Sequence, residues 1–305
     1  MQDLRIIYYH HISSDQDHDL HAVPLNHFKK QLIYLRKRYE IISLSDAIQM
    51  NAEGHSLKGK LCITFDDGFS SFYQNALPVL KHHDLPATVF LISNCVNNQQ
   101  IMWRTKLELI SQQTPQSKIE KGLTLLEKAF DLQYDHSTLM KWSLNWPMSA
   151  KEIYTDFLWE EMGMIPVEDF LQKRPLYLTT QQIEEAMQSG IEFGSHTKSH
   201  PLCNKLSFEE LIDETEGSLL LLSILLKKEI RLFSYPFGLR PDPKLENDLM
   251  IRHNISSLLG IYYKKYHTND PFHWERDNME IHLYKSLFRL SPVFDLVLTL
   301  RNGNQ

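Results

Sequence analysis

The chain has 305 residues, 42% of them hydrophobic and 23% charged. Such a composition buries a core as one large domain, or one domain carrying an insertion, and it excludes a disordered chain. With 32 basic and 38 acidic residues the formal net charge is -6, so nothing overall draws the chain to nucleic acid or to an anionic membrane surface.

At the N-terminus, Asp3 and Arg5 leave only a short apolar run before His10, and no small-residue cleavage site follows. The expectation is therefore no export signal and a cytoplasmic location. Arg5 to Tyr9 reads as a first strand. Phe28, Leu32 and Leu35 have helical spacing, and Arg36, Lys37 and Arg38 read as a solvated face of that helix. Further strands are predicted at Glu40 to Leu44, Leu61 to Phe65, Ala87 to Ile92, Ile191 to Gly194 and Ile230 to Tyr235. Thr179 with Gln182, and Ser207 with Glu210, have the spacing of capping boxes that open helices. This alternation is the pattern of β/α units around a parallel sheet or barrel.

The stretch 97–175 breaks the alternation. It has helix-like periodicity and four of the five tryptophans, Trp103, Trp142, Trp146 and Trp159, and reads as a helical insertion within a single domain spanning 1–305. The tryptophans either stack on sugar rings or pack the insertion's own core, and packing is the preferred reading. The longest apolar patch, Leu219 to Leu226, is far shorter than the ~18 residues of a membrane helix and reads as a buried helix. Three cysteines, Cys62, Cys95 and Cys203, form no CxxC pair, which argues against a disulfide framework and against a thiolate zinc site.

Chemistry gathers where strands end. Tyr9 runs into His10, Phe65 into Asp66 and Asp67, Gly194 into Ser195 and His196, and Tyr235 into Pro236. In a β/α barrel, such positions converge on one face. His196 and His200, four apart, would share one side of a helical turn, and a carboxylate from another strand end would complete an open three-ligand site for zinc or a similar divalent ion. A dication also accounts for two adjacent aspartates, because it stabilises both ionised forms. With the chain turning at Gly68, one aspartate can bind metal while the other works as a base.

These residues resemble the polysaccharide deacetylases of the NodB-homology type, carbohydrate esterase family 4. Thr64 to Gly68 (TFDDG) is similar to the family's first motif, His196 to His200 (HTKSH) to its second, and Tyr235 to Gly238 (YPFG) to its third. The resemblance covers 1–96 and 176 to about 240, and leaves the insertion uncovered. It implies a distorted (β/α) barrel of about seven strands and a substrate that is an N-acetylated saccharide. It also implies that Asp66 is the general base and that Asp67, His196 and His200 hold a divalent metal, Zn2+ foremost, with Co2+ or Ni2+ as alternatives. The third motif would supply the oxyanion and substrate contacts, with the Phe237 backbone N–H as donor beside Tyr235 and Pro236.

Two departures from the family pattern stand out. Its third motif often begins with an arginine that orients the base; Ser234 is there instead, and Arg276 is the candidate replacement. The late catalytic histidine has no secure counterpart among His253, His267, His273 and His282. The N-terminal run YYHHIS resembles a subgroup with that motif moved to the front, which makes His10 the acid and His282 the second choice. The expected activity is metal-dependent hydrolysis of a sugar acetamide. An O-acetyl esterase on the same scaffold and a non-catalytic carbohydrate-binding protein are the alternatives.

Overall fold

The computed structural model describes residues 4–14, 22–135, 137–253, 255–261, 273–280 and 285. Among the described residues there are ten strands: β1 (Leu4–Tyr9), β2 (Ile12–Ser13), β3 (Val23–Pro24), β4 (Glu40–Ile41), β5 (Lys60–Phe65), β6 (Ala87–Leu91), β7 (Ile191–Ser195), β8 (Leu232–Ser234), β9 (Ser257–Ile261) and β10 (Trp274–Asn278). The main sheet runs β1-β10-β9-β8-β7-β6-β5-β4 with every pairing parallel, and a further β1–β5 ladder closes seven of these strands into a barrel. β4 is the eighth strand of the sheet and pairs with residues 60–61 at the start of β5.

Strand alternation sorts the side chains into two cores. Ile7 and Tyr9, Leu61, Ile63 and Phe65, Val89 and Leu91, and Phe233 point outward to the covering helices, where they meet Phe28, Leu32, Leu80, Ile183 and Leu222. Leu4, Ile6, Cys62, Phe90, Leu232, Leu259 and Trp274 form a separate inner cluster, joined by Leu44 and Ala47. Both faces of the strands are therefore buried, which is why they read as continuous apolar runs. Gly194 is required there: a Cβ would come within 2.6 Å of the Phe90 ring and 2.7 Å of the Leu232 carbonyl oxygen.

Towards the C-terminal ends of the strands, the inward positions turn polar. Above Ile6, Cys62, Leu232 and Trp274 come Tyr8, Thr64, Ser234 and Arg276, each two residues further along its strand. Asp66 continues the inward series of β5. The apolar plug thus gives way to a hydrogen-bonded polar layer just beneath the barrel mouth.

Between β6 and β7, the helices Trp103–Gln113, Gln116–Phe130, Leu139–Ser143, Met148–Glu161 and Val167–Lys173 pack around their own cluster, which contains Trp103, Trp142, Trp146 and Trp159. All four indoles are buried, so packing accounts for them and stacking on a sugar does not. Both capping boxes form, at Thr179 and Ser207.

Three expectations need adjustment. The predicted strand Glu40 to Leu44 stops at Ile41, because Ser43 accepts the Asp46 N–H and caps a helix over Leu44–Ala52. The strand predicted at Ile230 to Tyr235 is the shorter β8. Leu219 to Leu226 lies on a helix, Phe208–Leu226, that buries one face only. Leu219, Leu222 and Leu226 are covered by the barrel, while Leu220 and Ile224 are 64% and 65% exposed. Among the described residues, no helix is long and apolar enough to cross a membrane.

Candidate active site

Parallel register places the motif residues at one level. Tyr9 pairs with Phe65, and Leu91 with Ser195, so His10, Asp66 and His196 each follow the last residue of a neighbouring strand. The Asp66 N–H donates to the Tyr9 carbonyl, and the His196 N–H to the Leu91 carbonyl, which extends both ladders by one residue into the site. Beyond them the backbone takes left-handed turns at non-glycine residues: Asp67 (φ 68°), Thr197 (φ 70°), His200 (φ 62°) and Phe237 (φ 56°). Such conformations persist only where surrounding structure enforces them, and here they cluster around the site.

Residues 196–200 do not form the helical turn suggested by their spacing. They form a loop in which Thr197 Oγ1 accepts the His200 N–H at 3.1 Å, while Glu214 accepts the N–H groups of Lys198 and Ser199, both at 2.9 Å. The loop still converges the imidazoles. His196 Nε2 lies 3.5 Å and His200 Nε2 3.3 Å from Asp67 Oδ1, with ring centroids 5.0 Å apart. Among the described residues, this trio is the one cluster whose donor atoms lie close enough together, all within 4.8 Å, to hold a metal ion.

The donor set fits a cation on three grounds. Asp67 Oδ1 is buried without a hydrogen-bond partner, an arrangement that costs free energy unless a positive charge faces it. His196 Nδ1 is 2.7 Å from the Ser234 carbonyl oxygen and donates to it, which leaves the Nε2 lone pair facing Asp67. Burial holds His196 down at about 4 and His200 well below the usual imidazole range, so both rings are neutral, as ligands must be. The Asp67 carboxyl is pushed up to about 7 by burial, against the pull of His10 and with a contribution from Asp66.

Asp66 is held quite differently. Its two oxygens each accept from one Nη of Arg276, both at 2.7 Å. Arg276 is itself fully buried, donating to Ser234 Oγ (2.7 Å), Thr64 Oγ1 (3.1 Å) and the Gly260 carbonyl oxygen (3.2 Å) beneath the Tyr8 ring. Burial alone would raise the Asp66 carboxyl, but the charge and hydrogen bonds of Arg276 overcome it and hold the group below the usual carboxylate range. Ser234, the departure from the family pattern, here receives a hydrogen bond from the arginine that enters from β10.

His10 meets Glu280, a residue that sequence reasoning missed. Its backbone N–H and Nδ1 lie 2.5 and 2.7 Å from the two Glu280 carboxylate oxygens. Burial opposes the charge on His10, yet Glu280 outweighs it and lifts the imidazole to about 10. His10, Asp66, Asp67, His200, Phe237 and Glu280 line one cavity of about 360 Å3 at the barrel mouth. Tyr235 and Pro236 are buried and outside that lining, Tyr235 against Phe233 in the outer core, so Phe237 alone of the third motif reaches the cavity. Of the other histidines weighed as the acid, His273 sits beside Glu246 at 3.5 Å, outside the cavity lining. His267, His282 and the His253 side chain lie outside the described residues.

Comparison with known proteins agrees with the geometry. The chain is 30% identical over 113 residues to a poly-beta-1,6-N-acetyl-D-glucosamine N-deacetylase of Staphylococcus epidermidis, a match spanning 37% of this chain and 38% of the relative. It is 27% identical over 112 residues to proteins of the same name from Staphylococcus aureus strains, covering 38% of each. The alignments thus span well under half the length of these relatives. The fold is similar to that of the Streptococcus pyogenes deacetylase PplD in complex with acetate (TM-score 0.61, 18% identity, 94% of this chain and 96% of that one). It is also similar to IcaB from Ammonifex degensii (TM-score 0.60, 17% identity, 95% and 96%). The family model for polysaccharide deacetylases matches residues 53–250, more than half of the sequence, and the chain belongs to that family.

Proposed function

We propose that the chain is a divalent-metal-dependent de-N-acetylase that hydrolyses the acetamide of an N-acetylated hexosamine in an oligo- or polysaccharide and releases acetate. The observation that carries this reading is the division of labour between adjacent aspartates. Asp66 is locked as a carboxylate by Arg276, while Asp67 presents an unpartnered oxygen to two neutral imidazoles.

Asp67, His196 and His200 would hold the ion, and two nitrogens with one oxygen suit Zn2+ best, with Co2+ and Ni2+ as alternatives. An ion held there would supply Lewis acidity to the acetamide carbonyl and to the attacking water. Asp66, oriented by the Arg276 fork, accepts the proton as the water oxygen bonds to the carbonyl carbon. The Phe237 N–H, at its left-handed turn beside the cavity, is the chain's own donor to the developing oxyanion. His10, kept protonated by Glu280, gives its proton to the departing nitrogen as the C–N bond breaks, so that acetate and a free amine leave. The names of the Staphylococcus relatives favour N-acetylglucosamine units as substrate.

The test is acetate release from N-acetylglucosamine oligomers, acetylated xylan and simple amides, with added zinc, cobalt or nickel and a chelated control. Release from the oligomers that is lost on chelation supports the reading. Release from xylan alone would make the chain an O-acetyl esterase, and saccharide binding without any release would make it a binding protein. Asp66→Asn should abolish turnover with metal retained, whereas Asp67→Ala and His196→Ala should lose both.

A further inference from the structure

We infer that Arg104 and Glu108, on the first helix of the 97–175 segment, form a saccharide-recognition wall of the active-site cavity that binds pyranose hydroxyls. This rests on the reading of the site as saccharide-processing. That segment interrupts the β/α alternation, yet it reaches the centre of the site. Trp103 donates its indole N–H to the His200 carbonyl oxygen at 3.0 Å and fixes the helix against the loop bearing a metal-ligand candidate. The next residue, Arg104, and Glu108 one turn later both line the cavity.

Their geometry suits sugar hydroxyls. Arg104 Nε donates to Glu108 Oε1 at 3.2 Å, which aligns the two groups side by side and leaves the guanidinium Nη groups and the second carboxylate oxygen outside that bond. The side chains are 35% and 21% exposed, partly buried in the cavity wall. The Arg104 guanidinium carbon lies 5.2 Å from the Phe237 ring centroid, and that ring lies 4.7 Å from the His200 ring. The pair is therefore one aromatic ring away from the metal-ligand candidates. A row of charged donors beside a carboxylate acceptor, bordered by an apolar ring, matches the alternating hydroxyls and apolar face of a pyranose.

The experiment compares the zinc-loaded wild type with Arg104→Ala, Glu108→Ala and Glu108→Gln. Readouts are kcat and KM for acetate release from the N-acetylglucosamine pentamer, zinc content, and calorimetric affinity for the de-N-acetylated pentamer. Losing hydrogen bonds to a charged group should raise KM by about tenfold or more in both alanine variants, with kcat within about threefold and zinc unchanged. Glu108→Gln, which keeps a hydrogen-bonding side chain of the same shape, should recover part of the loss. Unchanged KM and affinity, or a fall in kcat alone, would reduce the pair to an ordinary helix-surface ion pair and overturn the inference. If the wild type releases no acetate, the proposed activity fails, and pentamer affinity then decides alone: weaker binding in the variants supports the wall, equal or absent binding overturns it.

Discussion

Arg276 and Asp66 stand 210 residues apart in sequence and meet through two parallel hydrogen bonds of 2.7 Å, both side chains buried inside the barrel. Lysine cannot reproduce that fork. Arg276→Lys should keep the fold and lower kcat by about 100-fold, the low end of what a positioned acid–base group contributes. Arg276→Met leaves a buried carboxylate unpaired and should cost about 3–5 kcal/mol of stability by urea unfolding. Wild-type kcat in the lysine variant would remove Arg276 from the base's environment.

Glu280 should govern the alkaline side of the activity profile. The proposed acid must carry its proton, and the groups facing His10 include Glu280, Asp66 and Asp67, which raise its pKa, against burial, which lowers it. Removing the Glu280 charge lowers that pKa, so the protonated form is lost at lower pH. In Glu280→Gln the alkaline limb of kcat/KM should move to lower pH, while His10→Ala should lose most turnover at every pH. An unmoved limb in Glu280→Gln would separate Glu280 from the acid.

Gly194 tests the barrel interior. The missing Cβ leaves room for Phe90 and for the Leu232 backbone, neither of which can retreat from a closed barrel. Gly194→Ala should therefore destabilise the protein by about 1–3 kcal/mol in denaturant unfolding, with activity reduced in step. A neutral substitution would mean that β7 and β8 can separate at little cost.

The sequence was most legible where local chemistry and strand ends coincide. His10, Asp66 and His196 each follow the last residue of a strand, and parallel register brings them to one level. The His196 to His200 spacing suggested a helical turn, whereas the structure brings the two rings together through a loop, because both conformations draw positions four apart together. β10 was illegible: Trp-Glu-Arg-Asp-Asn has no strand-like alternation of apolar residues, since its inward positions past Trp274 are the polar Arg276 and Asn278. Glu280 was missed for a related reason, because its meaning comes only from a partner 270 residues away. Arg104 and Glu108 look from sequence like any surface pair at helical spacing, and only the cavity distinguishes them.

The central claim is that Asp67, His196 and His200 share one ion beside Asp66. Anomalous diffraction at the zinc edge from zinc-loaded crystals tests it most directly. A single strong peak within bonding distance of Asp67 and both imidazoles, roughly 2.0–2.2 Å from each donor, is the result expected. A zinc peak elsewhere, or none between these three side chains in protein that releases acetate, would contradict the account.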